Sequence, residues 1–198
     1  MQRVKLSIDC SGHSASFLLT DGDNKPISDI VFDSSDNLLF KALPNKLTEY
    51  HLKISDISDV AWGQGPGSFT GIRICATWLQ GVAYVNDIKV IPICSLRART
   101  QQYIEKNNIT NGSISTFLSA NRLYNYFGQW NIDNGFVLPN HSVTVVKNEE
   151  LKSTDIDLKE YAATAHGINK LSHLFNNNSE YNMNPFEIRP NYLFDHFN

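Results

Sequence analysis

Gly63-Gln64-Gly65-Pro66-Gly67-Ser68-Phe69-Thr70-Gly71-Ile72-Arg73 follows a short apolar run, Val60-Ala61-Trp62, and leads into a long apolar-periodic stretch from Thr70 to Val85. The run therefore reads as the turn of a strand-turn-helix unit. Its glycines permit a tight turn and let another backbone or a ligand approach closely. Ser68 and Thr70 place hydroxyls where they cap the helix, and the exposed amides there suit an anion. No Lys follows the last glycine, so this is not a Walker A loop. The glycine spacing is wrong for a dinucleotide fingerprint, and no ribose-binding acid is evident. Two uses remain: a packing turn with a capped helix, which the residues favour, and a phosphate site.

Before this unit, Val4, Leu6 and Ile8 alternate with Lys5 and Ser7, the period of a strand. The turn Ser11-Gly12-His13-Ser14 leads to a second strand over Ala15 to Thr20, and Asp21-Gly22-Asp23-Asn24 leads to a third over Ile27 to Phe32. Connections this short make an antiparallel meander. Leu38, Leu39, Ala42, Leu43 and Leu47 then recur at helical spacing over Ser35 to Leu52, and Pro44 predicts a kink or split inside that helix. After the unit come a strand at Lys89 to Ile93 and a helix with Ser95 as its N-cap. Three strands, helix, strand, helix, strand, helix is the order of one domain of the actin-like ATPase and ribonuclease-H-like α/β folds.

Near Asn107 the composition shifts toward Asn and Ser, which predicts two domains, 1–104 and 105–198. The second carries strands at Ser113 to Leu118, Tyr124 to Trp130 and Ser142 to Lys147, then a helix near Leu158 to Phe175.

Composition excludes several classes. Apolar residues make up 41% and charged residues 19%, which is a folded rather than a disordered balance. The net charge of −3 argues against nucleic-acid binding by this chain alone, because phosphate contacts need a basic surface. Met1 to Asp9 holds no long apolar stretch, so no signal peptide is expected, and no run approaches the roughly 20 apolar residues of a membrane span. Cys10, Cys75 and Cys94 are widely spaced among apolar neighbours and read as reduced core side chains of a cytoplasmic protein. The histidines offer no paired ligand spacing, so no metal is expected. His166 and His173 share a helix face two turns apart, which reads as a solvated face with Lys170.

The helix from Thr70 to Val85 is apolar almost all round. Ile72, Cys75, Ala76, Leu79 and Ala83 share one face, enough to cover a sheet. Ile74, Trp78, Gly81, Val82 and Val85 form a second, leaving Arg73, Thr77, Gln80 and Tyr84 as a narrow polar stripe. The second face is either buried internally or, with Leu39 and Leu43, is a docking surface centred on Trp78.

Gly65-Pro66-Gly67-Ser68-Phe69-Thr70-Gly71-Ile72-Arg73 resembles the signature of the TsaB (YeaZ) family nearly word for word. Ser7-Ile8-Asp9-Cys10-Ser11, Val90-Ile91-Pro92-Ile93-Cys94-Ser95-Leu96 and Pro190-Asn191-Tyr192-Leu193 resemble three further family segments. Other segments depart from the pattern. Ser34-Ser35-Asp36-Asn37-Leu38-Leu39-Phe40 lacks a His and a Pro, and Ser119-Ala120-Asn121-Arg122-Leu123-Tyr124 lacks a leading Asp. Phe194 stands where a terminal Arg is usual.

The resemblance implies a two-domain actin-like fold and a non-catalytic subunit. Such a subunit binds TsaD as a heterodimer, is joined by TsaE, and meets tRNA only through that complex. ATP is used by the complex, and no cofactor belongs to the chain itself. The complex transfers threonylcarbamoyl to the adenosine beside the anticodon. The family pairs through its first-domain helices, with TsaD or with a second copy when isolated. Asp9 and Ser11, at the end of the first strand, are where an actin-like ATPase would meet a nucleotide, although a turn-capping role suits Asp9 better. The alternatives are a stand-alone actin-like ATPase or kinase and, with least support, a glycoprotease-like peptidase.

Overall fold

A computed structural model describes residues 3–138, 142–161, 165–175 and 183–193. The first sheet holds β1 (Val4–Asp9), β2 (Ala15–Thr20), β3 (Pro26–Phe32), β4 (Ile57–Gly63) and β5 (Lys89–Ile93), in the spatial order β3-β2-β1-β4-β5. The meander pairs antiparallel, while β4 and β5 join β1 in parallel. That mixed sheet is the actin-like, ribonuclease-H-like arrangement. Parallel pairing needs crossover helices, which the chain supplies on one face.

Those crossovers are α1 (Ser35–Asn37), α2 (Leu43–Glu49) and α3 (Phe69–Asn86). Leu38–Ala42 between α1 and α2 form a π-helical turn, which lies directly ahead of Pro44 in the first turn of α2. A proline ring and its missing N–H disturb the preceding turn, and the wider π winding absorbs that disturbance here. The predicted break at Pro44 is thus a change of winding rather than a gap.

Strand alternation splits the first sheet between two cores. Val60 and Trp62 share one core with the π-helical turn, α2 and α3, and Ala61 faces the other way into a second. The second core also holds Ile91 and Ile93 of β5, Leu96, Ala98 and Ile104 of α4 (Ser95–Lys106), and Ile168 and Leu171 of α5 (Ala165–Ser172). The first sheet is therefore covered by helices on both faces.

The second sheet follows α4. Its strands are β6 (Gly112–Ser119), β7 (Tyr124–Asp133), β8 (Phe136–Val137), β9 (Thr144–Lys147) and β10 (Ile156–Asp157). The order is β10-β6-β7-β8, with β9 also paired to β7. Trp130 lies on its inner face, buried, with Nε1 donating to Thr116 Oγ1 at 2.8 Å. Helix α4 lies against this sheet and α5 against the first one, and the two helices touch.

Two local expectations are corrected. Cys94, not Ser95, holds the N-cap position of α4, and Ser95 turns its hydroxyl to Gly65 instead. The helix expected over Leu158 to Phe175 begins only at Ala165, because Leu158 to Tyr161 form a turn; residues 162–164 lie outside the described residues. Among the described residues no helix is long and apolar enough to cross a membrane.

Candidate functional site

In open α/β sheets, ligands enter at the carboxyl ends of the parallel strands. Here those ends are Asp9, Gly63 and Ile93, and the glycine-rich loop folds straight back over them. Gly65 N–H donates to Ser95 Oγ at 3.1 Å, and Ser95 N–H donates to the Gly65 carbonyl at 2.8 Å. Gly65 has φ of 110°, a backbone region that favours glycine. Ser68 N–H donates to the Ser11 carbonyl at 2.8 Å, which pins the loop to the β1–β2 turn.

The glycines serve this packing. A Cβ on Gly63 would stand 2.7 Å from Asp9 Oδ1 and 2.8 Å from Ser95 Oγ. One on Gly67 would overlap the Ser11 carbonyl oxygen, and one on Gly71 that of Cys10. Ser68 caps α3, its Oγ accepting from Gly71 N–H at 3.3 Å. Thr70 is exposed inside the first turn and is not the cap. Of the two uses open to the loop, the packing turn is the one this geometry describes.

Asp9 and Ser11 lie beneath the loop, both buried. Asp9 Oδ1 accepts from Ser11 N–H at 2.9 Å, the turn-capping role. Burial pushes the Asp9 carboxyl above its usual range, opposed by the Arg99 guanidinium and the bonds from Ser11. Among the described residues neither Asp9 Oδ2 nor Arg99 Nε, both buried, has a hydrogen-bond partner. Neither Asp9 nor Ser11 presents an open surface to a nucleotide. Cys75 is buried too, its thiol held well above the ordinary range by a hydrogen bond with Cys10 and by burial, so it has little thiolate character. Among the described residues no group of three or more His, Cys, Asp and Glu is placed to hold a metal ion.

What α3 turns outward is different. Ile74, Trp78 and Val82 are half-buried and lean on the first core, while Gly81 and Val85 are exposed, Val85 by 77%. The docking role expected of Leu39 and Leu43 does not hold. Both have no exposed area, because the helical run carrying them turns that face into the sheet, so neither reaches a docking surface. Each contributes about 1.5–3 kcal/mol of burial instead. In their place the helical run exposes Phe40, 61% accessible, opposite Phe69 and Arg73 at the start of α3.

Sequence reasoning missed the segment over residues 183–193, which straps the first core. Met183 N–H donates to the Val90 carbonyl, Gln80 Nε2 donates to the Ile188 carbonyl at 2.9 Å, and Asn191 N–H donates to the Gln64 carbonyl at 2.8 Å. Ile188 is fully buried in the first core. Phe186 meets Tyr84 edge-on at 5.5 Å, and Tyr192 meets Phe69 at 5.2 Å. The strap thus covers part of the polar stripe of α3. The signal was the apolar residues Met183, Phe186 and Ile188 ahead of Pro190 to Leu193 in an Asn-rich tail. His166, read as part of a solvated face, is indeed exposed, but its Nε2 lies 2.6 Å from Asp29 Oδ2 and ties α5 to β3, a contact the sequence did not announce.

A mixed sheet in this order, with helices on both faces and its ligand crest closed by a strand-turn-helix loop, defines an actin-like α/β protein. The family described as "TsaD: tRNA N6-adenosine threonylcarbamoyltransferase" matches residues 34–157. The tRNA threonylcarbamoyladenosine biosynthesis protein TsaB of Haemophilus influenzae is 30% identical over 120 residues, which are 60% of this chain and 51% of that protein. The TsaB of Bacillus subtilis is 27% identical over 157 residues, 76% of this chain and 66% of that one. The solved structure of YeaZ from Pseudomonas aeruginosa superposes with a TM-score of 0.80 at 18% identity, covering 96% of this chain and 100% of that one. The chain belongs to the TsaB (YeaZ) family, and its matches span between about half and two thirds of these two curated relatives.

Proposed function

We propose that this chain is a non-catalytic partner subunit in the biosynthesis of threonylcarbamoyladenosine in tRNA. It docks on a TsaD-type subunit through the outward flank of α3, and when isolated it pairs with a second copy through the same flank. TsaE and ATP act on the resulting complex, tRNA is met only there, and the compartment is the cytoplasm. The observation that carries the reading is that flank, where Gly81, Tyr84 and Val85 lie exposed beside the half-buried Ile74, Trp78 and Val82. A long helix with apolar groups on its solvent side marks an interaction site. Support also comes from the crest of the sheet, where the family loop lies on Asp9 and Ser11 and leaves little room for chemistry. The charge of −3 agrees with RNA being held by other subunits.

Reconstituted threonylcarbamoyl transfer tests this. TsaD and TsaE from the same genome, tRNA and the threonylcarbamoyl adenylate should turn over only when this chain is added. Unchanged turnover without it refutes the reading, and so does steady ATP hydrolysis by the chain alone.

A further inference from the structure

The aromatic end of α3 is built for more than apolar contact. Phe40 and Phe69 are 61% and 57% exposed and, with Thr70, Arg73, Ile74 and Thr77, they wall a recess of about 380 Å3. The Arg73 guanidinium lies over the Phe69 ring at 5.0 Å, and the same ring meets Tyr192 of the strap at 5.2 Å. Arg73 is exposed, yet among the described residues no carboxylate pairs with it. A guanidinium stacked on an aromatic face keeps its planar fork oriented, so less freedom is lost when it binds a carboxylate. Aromatic residues and Arg together, beside an apolar hollow, are the composition of an interface anchor.

Resting on the partner-subunit reading above, we propose that this recess takes an apolar side chain of the TsaD-type partner, with Arg73 pairing an Asp or Glu beside it on the same segment. The occupant is argued from charge and continuity. Among the described residues the rim offers one cation without a carboxylate partner and no anion, and the recess shares Ile74 with the exposed flank farther along α3. The strap takes part by backing Phe69 with Tyr192, so the anchor exists only while the strap is docked. A neutral apolar peptide alone would leave Arg73 unpaired, which is why the carboxylate belongs to the proposal.

The test measures affinity for the purified TsaD-type subunit by calorimetry at low and high salt, with thermal unfolding as a control. Arg73→Glu should weaken binding by about tenfold or more, since it sets like charges against each other across the interface. Arg73→Ala should flatten the salt dependence, and Arg73→Lys should recover only part of the loss because the planar stack is gone. Tyr192→Ala should weaken binding less than Arg73→Glu. All four should unfold near the wild-type temperature, because the substituted side chains are exposed or half-exposed. Binding of Arg73→Glu within about twofold of wild type, or a salt dependence kept in Arg73→Ala, overturns the proposal while leaving the partner reading intact. Wild-type protein that fails to bind TsaD overturns both.

Discussion

Glycine to alanine at two helical positions should change stability in opposite directions. Gly81 lies in the middle of α3, and an added Cβ there meets nothing within 4 Å. Alanine is favoured over glycine inside a helix by about 0.8–1.0 kcal/mol, so Gly81→Ala should stabilise the chain by about 1 kcal/mol. Gly167 lies in α5, where the same Cβ would overlap the Ala98 carbonyl oxygen of α4 and approach Gln102 Nε2 to 3.3 Å. The propensity gain is the same, but forcing two packed helix backbones apart costs about 1–3 kcal/mol. The net for Gly167→Ala is a loss of up to about 2 kcal/mol. Urea unfolding followed by far-UV circular dichroism reads both values, and an unchanged m-value shows that the same surface is exposed on unfolding. If both variants move the same way, the close crossing of α4 and α5 between the two sheets is wrong.

Three further outcomes follow from the buried groups. Burial raises the Asp9 pKa, so between its ordinary and raised values the folded state holds a proton that the unfolded state has released. Stability should therefore fall as pH rises through that window, and Asp9→Asn should lack that descending leg in a pH series of urea midpoints. Ile188→Ala should cost about 2–5 kcal/mol, the range for truncating a buried isoleucine, and should expose the strap to limited proteolysis. Leu43→Ala should cost a similar amount by the same unfolding assay, and the surviving folded fraction should bind the partner like wild type, since Leu43 is core rather than interface.

The first sheet and its crossover helices were legible because their signals are local. Period-2 alternation in Val4 to Ile8, turn residues after each strand and the glycine run before α3 fix the elements, and chirality rules restrict their assembly. The loop's use as packing was also readable, since Ser68 is a cap residue and no phosphate-binding Lys is present. Leu39 and Leu43 were misjudged because helical spacing identifies an apolar face without saying which side the sheet occupies. The strap and the Asp29–His166 contact join residues more than 90 positions apart in sequence, so no local pattern announces them. Ser95 looked like a cap because its hydroxyl precedes an apolar-periodic stretch, but the backbone of Gly65 competes for the same side chain and wins it.

Size-exclusion chromatography with light scattering, on this chain mixed with the TsaD-type subunit of the same genome, tests the docking claim most directly. Val85→Glu is the informative variant, because Val85 is 77% exposed and its substitution spares the core. The account predicts one co-eluting heterodimer for wild type and two separate monomer peaks for Val85→Glu. Co-elution of Val85→Glu at wild-type yield, or separate peaks with the wild-type chain, contradicts it.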